Sequence, residues 1–380
     1  MIYKYLIYPF LLIVLFMSTF SCKSLIAKKE DPPKAKNVIL LIGDGTGLAQ
    51  VSSAFYFKET SPNYARFKTI GLINTSSSRE DITDSAAGAT AFASGVKTYN
   101  GAIGVADDST EVKNLVEIAS QQHIKTGVIS TSSIQHATPA SFYAHVINRG
   151  LYEDIAADMA VSDIDFFAGG GTQFFNKRED GENLLEKLKA KGFKIDTTAL
   201  GDFAGIKQYS KMAYLLAENH MEPAAKGRGD YLPKATELGI QFLNKDADNS
   251  NFFVMIEGSQ IDWGGHANDA DYLISELIDF DEAIGKALDF AEKDGNTLVI
   301  VTGDHETGGF TLSATPKKTE DGQSYSDYNE ISGTFSTDGH SATLIPVFAY
   351  GPGSEAFSGV YENTEIFHKI LQATNWNNKD

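Results

Sequence analysis

Runs of unbroken apolar residues alternate along this chain with segments whose apolar positions recur at helical spacing. Asn37-Val38-Ile39-Leu40-Leu41-Ile42-Gly43 is the first such run, the pattern of a strand buried on both faces. Phe252-Phe253-Val254-Met255-Ile256 and Thr297-Leu298-Val299-Ile300-Val301 repeat it. Further strands are expected at 68–74, 126–130, 163–168 and 344–350, and Gly169-Gly170-Gly171, lacking the lysine of a phosphate loop, reads as a tight turn. Helical spacing predicts helices at 46–58, 85–94, 182–191, 209–219, 231–244, 269–293 and 366–373, and one at 111–122 with Thr110 as its N-cap. Residues 314–336 are polar and rich in Gly and Ser, a surface excursion. Strands alternating with helices over 37–380 predict a single α/β domain with a mostly parallel central sheet, flanked by helices on both faces.

The first residues follow a different pattern. After Lys4, the run from Pro9 to Met17 has the form of a secretory signal core, predicting a signal peptide over residues 1–21. It is short for a membrane span. It ends at Ser18-Thr19-Phe20-Ser21-Cys22, a small residue before the one cysteine of the chain. That ending resembles the lipobox of bacterial lipoproteins and predicts an exported protein anchored through a lipidated Cys22, in the periplasm or on the outer membrane; plain secretion is the alternative. Residues 22–36 read as a polar tether. With Cys22 alone, no intramolecular disulfide can form, so stability must come from packing and metals.

Charge narrows the chemistry. Fifty Asp and Glu against 32 Lys and Arg give a formal net charge of −18, and no basic run compensates. Such a surface disfavours nonspecific nucleic-acid binding. An anionic substrate would need a strong local positive centre, and with few arginines a metal is the natural source.

The three most apolar strands each run into acids. Asn37–Gly43 leads to Asp44; the 252–256 run leads to Glu257, Asp262 and His266; the 297–301 run leads to Asp304 and His305. In a parallel sheet the carboxyl ends of strands share one edge, where ligands bind. Four carboxylates brought together there would repel one another unless divalent cations offset them. Imidazole with carboxylate suits zinc; carboxylate with hydroxyl suits magnesium. Asp262 and His266, four apart, face the same side if a helical turn forms, although Gly264 and Gly265 favour a turn. Thr83-Asp84-Ser85 opens a small-residue stretch to Gly95, where Ser85 has the chemistry of an N-cap or first-turn residue beside the positive end of a helix dipole.

Jointly, Asp44-Gly45, Thr83-Asp84-Ser85-Ala86-Ala87, Lys97-Thr98-Tyr99-Asn100-Gly101-Ala102, Ala137-Thr138-Pro139-Ala140, Glu257-Gly258-x-x-Ile261-Asp262, Asp304-His305 and Gly339-His340 resemble the alkaline phosphatase family. They occur in family order from residue 37 to the C-terminus. The resemblance implies a phosphomonoesterase with two Zn²⁺ and one Mg²⁺, acting on small phosphate monoesters. Carried over by position, one zinc takes Asp262, His266 and His340; the other takes Asp44, Asp304 and His305. Magnesium takes Asp44, Thr138 and Glu257, with His136 where enterobacterial relatives have an aspartate. Ser85 would be the nucleophile and Arg149 the phosphate clamp. Trp263 stands where those relatives have a lysine, and would add an apolar wall to the substrate site. A homodimer is likewise implied. His123, His145, His220 and His368 match no motif and read as structural or surface residues. The bottom-up chemistry agrees, since no G-x-S-x-G elbow surrounds Ser85 and a metal is the natural activator of its hydroxyl. The alternatives are a phosphodiesterase of the same superfamily and, from another class, a non-catalytic surface-binding lipoprotein. A sulfatase is disfavoured because Ser85-Ala86-Ala87-Gly88-Ala89 has neither Pro nor Arg.

Overall fold

The computed structural model describes residues 34–246 and 251–377. The expected signal peptide, Cys22 and the tether up to residue 33 lie outside the described residues. In chain order the strands are β1 (Asn37–Gly43), β2 (Thr69–Asn74), β3 (Lys125–Ser133), β4 (Phe166–Gly170), β5 (Phe193–Asp196), β6 (Lys211–Leu215), β7 (Phe252–Gly258), β8 (Thr297–Gly303), β9 (Glu306–Thr307), β10 (Thr311–Lys318), β11 (Ser324–Thr334), β12 (His340–Ser341), β13 (Ile345–Tyr350) and β14 (Gly359–Glu362). Ten of them form one sheet in the order β14-β2-β13-β8-β1-β7-β3-β4-β6-β5. Every pairing in it is parallel except those of β13, which runs against β8 and β2.

The unbroken apolar runs find their explanation in two cores. Val38, Leu40 and Ile42 of β1 enter one core, with the helices Ser85–Ser94 and Glu365–Thr374. Ile39 and Leu41 enter the other, with Tyr231–Leu243 and Ala270–Asp294. A strand covered on both sides has no position for a polar residue, so it reads as apolar throughout. The expected α/β domain with helices on both faces is the observed fold.

Register is what makes the site. Gly43 of β1 lies opposite Gly258 of β7 and Gly303 of β8, so the three central strands end level. The turn after β1 then crosses over the end of β8: a Cβ on Gly303 would stand 2.4 Å from the Thr46 carbonyl oxygen. Gly45 holds the turn at φ +72°, where its own Cβ would meet the Asp262 Cα at 2.7 Å.

Several expectations differ. Residues 209–219 are not a helix; Met212 to Leu215 are four consecutive buried residues of β6, filling both faces of the sheet where a helix would bury a stripe. The helix expected at 111–122 with a Thr110 cap is Leu115–Gln121, capped by Asn114, whose side chain accepts from Glu117 N while Glu117 returns a bond to Asn114 N. The excursion at 314–336 is polar and exposed as expected, but it is an ordered antiparallel hairpin of β10 and β11. The helix Tyr152–Val161 and the short strands β5 and β14 have no counterpart in the sequence reading. Residues 260–266 are helical despite their glycines, which are needed for approach: a Cβ on Gly264 would lie 2.6 Å from Leu273 N.

The helix Leu115–Gln121 also carries a pH-sensitive contact. His145 Nε2 lies 3.1 Å from Glu117 Oε1, and its Nδ1 lies 2.7 Å from the Gly104 carbonyl oxygen. Burial opposes the charged imidazole, but these two bonds and the charges of Glu117 and Glu111 outweigh it and lift the pKa to about 9. Its folded value thus lies above its unfolded one. The stabilisation is complete below about pH 6.5 and is lost as pH rises through about 9. Allowing for partial exposure, it amounts to roughly 1–2 kcal/mol. His145→Gln should therefore melt below wild type at pH 6.5, with the gap closing above pH 9. A gap independent of pH, followed by calorimetry across that range, would contradict this account.

Candidate metal centre and active site

Each strand end delivers its side chains to one crevice at the carboxyl edge of the sheet. Asp44 follows β1, Glu257 lies in β7, and Asp304 and His305 follow β8. Asp262 and His266 lie on the helix Gln260–His266, His340 on β12, and His136 and Thr138 just after β3 at the short helix Ala137–Ala140. Three groups of potential ligands result, each with its ligand atoms within 4.8 Å of one another: Asp44, Asp304 and His305; Asp44, His136 and Glu257; and Asp262, His305 and His340. His266 joins the last, since its Nε2 is 3.3 Å from Asp262 Oδ1 and 3.2 Å from His340 Nε2. Asp44 belongs to two groups, and the rings of His305 and His340 stack at 3.5 Å. The three sets are contiguous.

These residues fit divalent metals on their own chemistry. Asp44 Oδ2, Asp304 Oδ2, Glu257 Oε1, Thr138 Oγ1 and His136 Nδ1 are buried without a hydrogen-bond partner. Buried polar atoms are ordinarily paired, and five orphans at one crevice call for a bound group. Electrostatics points the same way. Burial, and after it the charge of Asp304, pushes the Asp44 carboxyl far above its ordinary value. Burial raises Glu257 to about 7 and, with the charge of Asp262, Asp304 to about 6. Carboxylates so placed hold their protons to higher pH than usual, and a compensating positive charge would restore their full ionisation at neutral pH. His136 and His305 are both held neutral, chiefly by burial.

Ser85 sits beside the carboxylates. Asp84, not Ser85, is the N-cap of the helix Ser85–Ser94: its Oδ1 accepts from Ala87 N, which leaves Ser85 in the first turn with its hydroxyl free to face the crevice. Ser85 Oγ is 3.5 Å from Asp44 Oδ1 and 3.3 Å from His305 Nε2. This is not a Ser-His-Asp relay. In such a relay the acid binds the far nitrogen of the imidazole; here Asp44 and Asp304 stand on the same side of His305 as the serine, at 3.4 and 3.5 Å from Nε2. Arg149 Nη1 bonds Asp84 Oδ2 at 2.9 Å, and its Nη2 lies 3.4 Å from His136 Nε2.

The structure also brings in residues that the sequence reading passed over. Ser130 and Ser259 each donate to Glu257 Oε2 at 2.6 Å, solvating one oxygen of a buried carboxylate and leaving the other free. The hydroxyl-rich run Ser130-Thr131-Ser132-Ser133 at the end of β3 was the available signal. His220, read as structural or surface, accepts from Ser133 N at 3.0 Å and sets its ring edge-on to Trp263 and His136, with centroids at 4.8 and 5.7 Å. Trp263 is half-buried and touches His136 in the same way, at 5.9 Å.

Comparison with known proteins gives this arrangement its context. The family model described as alkaline phosphatase matches residues 35–325 and 313–376. Alkaline phosphatase 3 of Bacillus subtilis (strain 168) is 34% identical, the match covering 93% of this chain and 92% of that protein. Alkaline phosphatase of Escherichia coli (strain K12) is 30% identical, with coverage of 90% and 87%. Among solved structures, alkaline phosphatase from the Antarctic bacterium TAB5 superposes with a TM-score of 0.89 at 66% identity, covering 91% of this chain and all of the other. A mutant of the TAB5 enzyme, with Mg bound in the M3 site, matches at 67% identity with the same TM-score and coverage. With matches of this extent, the chain belongs to the alkaline phosphatase family, and its activity is the hydrolysis of phosphate monoesters.

Proposed function

We propose that this hydrolysis proceeds through a phosphoserine at Ser85, in a site holding two zinc ions and one magnesium ion. Asp262, His266 and His340 would hold one zinc, and Asp44, Asp304 and His305 the other. Asp44, Glu257, Thr138 and His136 would hold the third ion. The imidazole of that last set favours zinc while its carboxylates and hydroxyl suit magnesium, so the third position is the one where the two compete. The observation that carries this reading is the group of unpartnered buried carboxylate oxygens on Asp44, Asp304 and Glu257. Bound there, divalent cations would offset the carboxylates, favour ionisation of a neighbouring hydroxyl and draw charge from a phosphoryl oxygen.

The chain's own residues do the rest. Ser85 gives up its hydroxyl proton to solvent and its Oγ attacks phosphorus in line with the departing alcohol; the P–O bond to the alcohol breaks and the alkoxide takes up a proton from water. Water then loses a proton and attacks the phosphoserine, the Ser85 Oγ–P bond breaks, Ser85 Oγ takes a proton back, and inorganic phosphate leaves. Arg149 offers two parallel N–H donors to the non-bridging oxygens, aimed by its bond to Asp84. Asp84 thereby fixes nucleophile and clamp together, since it also caps the helix that carries Ser85. Trp263, with the His220 ring packed edge-on against it, would supply an aromatic wall beside His136.

Turnover of p-nitrophenyl phosphate and of bis-p-nitrophenyl phosphate, each before and after chelation, tests this reading. Monoester hydrolysis should vanish on chelation and return with zinc plus magnesium. Hydrolysis that survives removal of the metals would overturn the metal-dependent path, and faster turnover of the diester would favour the phosphodiesterase alternative. We also place the exported form as a lipoprotein anchored at Cys22 and a homodimer, read by intact mass and by light scattering.

A further inference from the structure

Each histidine of the two proposed zinc sets needs its Nδ1 proton fixed so that Nε2 presents a lone pair. For His266 the acceptor is the Asp338 carbonyl, with Nδ1 at 2.6 Å; for His340 it is the Thr83 carbonyl, at 2.9 Å. His305 has no such carbonyl. Its Nδ1 lies 3.2 Å from the hydroxyl of Thr307. The same hydroxyl lies 2.5 Å from Asp262 Oδ1, a member of the other set. One hydroxyl has one proton. The Asp262 carboxylate oxygen accepts it, so the Thr307 oxygen turns a lone pair to His305 and accepts the hydrogen bond from Nδ1–H.

We propose that Thr307 is a positioning residue that couples the two zinc sites, its proton orienting Asp262 in one and its lone pair selecting the ligating tautomer of His305 in the other. The inference rests on the assignment of those residues as metal ligands. Thr307 is fully buried and fixed on every side. Its N–H donates to the Gly45 carbonyl, its own carbonyl accepts from Gln50, and it pairs with His340 across β9 and β12. A Cβ on Gly45 would come within 2.8 Å of Thr307 Oγ1, and one on Gly265 within 3.0 Å of its Cβ. Two glycines thus keep clear the space in which this side chain reaches both sets. Of the three Nδ1 acceptors, it is the one made by a side chain, and hence the one a substitution can remove.

Thr307→Val keeps the shape of the side chain and deletes the hydroxyl; Thr307→Ser keeps the hydroxyl and deletes the methyl. Metal affinity is read by competition of purified, zinc-loaded protein against a chromophoric chelator, with the melting temperature of the stripped protein alongside. Thr307→Val should weaken both zinc sites together by about 10–100-fold, while Thr307→Ser stays near wild type. Valine binding both ions as tightly as wild type would overturn the proposal. So would loss at a single site, or a serine variant as weak as valine, since the methyl's packing would then be the cause. Wild type that binds no zinc in the same titration would instead remove the assignment of ligands on which the inference rests.

Discussion

Ser85→Ala should lower kcat/KM for p-nitrophenyl phosphate by about 10³-fold or more, at least ~4 kcal/mol of transition-state stabilisation. The substitution removes one oxygen from the first turn of a helix that is already mostly alanine, glycine and serine, so the fold should be untouched. The Asp, Glu and His side chains of the three ligand groups are all retained in Ser85→Ala, so the variant should still bind metal, which elemental analysis checks. Those two controls separate loss of the nucleophile from loss of the site. Acid quenching during turnover of a labelled monoester should leave label on wild-type Ser85 and none on the variant. If the variant kept most of its activity, water rather than Ser85 would be attacking phosphorus, with the bound cations and Arg149 sufficient to hold the substrate.

The second large effect is expected at Asp44. It is shared by two of the three ligand groups, and its Oδ2 has no hydrogen-bond partner. Asp44→Asn preserves size and replaces a carboxylate oxygen by an amide that binds metal poorly. Bound divalent metal should fall from about three ions per chain to about one, with activity falling at least ~100-fold. The control is His266→Gln, which touches one group alone and should cost one ion. A second consequence has the opposite sign. Without metal, the buried Asp44 carboxyl must be held protonated against its ordinary ionisation, a cost that an amide does not carry, so the chelated Asp44→Asn protein should be more stable than chelated wild type near neutral pH by roughly 1–2 kcal/mol. Elemental analysis and thermal melts read these two effects separately. An Asp44→Asn protein with its full metal content would show that the two groups do not depend on their shared carboxylate.

Much of this was legible because the central strands are buried on both faces. Continuous apolar runs such as 37–43 and 297–301 have no competing reading as surface elements, and an acid just beyond such a run must lie at the sheet edge. That is why the sequence alone brings Asp44, Glu257 and Asp304 together. What failed was local. Met212 to Leu215 is too short for periodicity to separate strand from helix, and its flanking polar residues completed a false helical stripe. The cap of the helix Leu115–Gln121 was misplaced although Asn114-x-x-Glu117 spells a capping box, because the polar stretch before it offered several caps. Glycines at 264 and 265 argued for a turn on propensity, but contact with Leu273 decided otherwise. Supporting residues were the least legible. Ser130, Ser259, His220 and Thr307 are defined by what they touch across the sheet edge, and a single serine or threonine carries no mark of that.

The spread of the ligands along the chain also sets when the site can exist. His340 Nδ1 reaches back to the Thr83 carbonyl across 257 residues, and Asp304 reaches Gly45 across 259. A nascent chain that ends before Glu257 contains none of the ligand sets in full, and one that ends before His340 still lacks the set of Asp262 and His266. Until the last strands are in place, Asp44 and its neighbours belong to an open sheet edge, where water and protons can reach them. Capture of the ion held by Asp262, His266 and His340 therefore requires chain as far along as β12, and full metal loading reports that this strand has joined the edge formed by β1, β7 and β8.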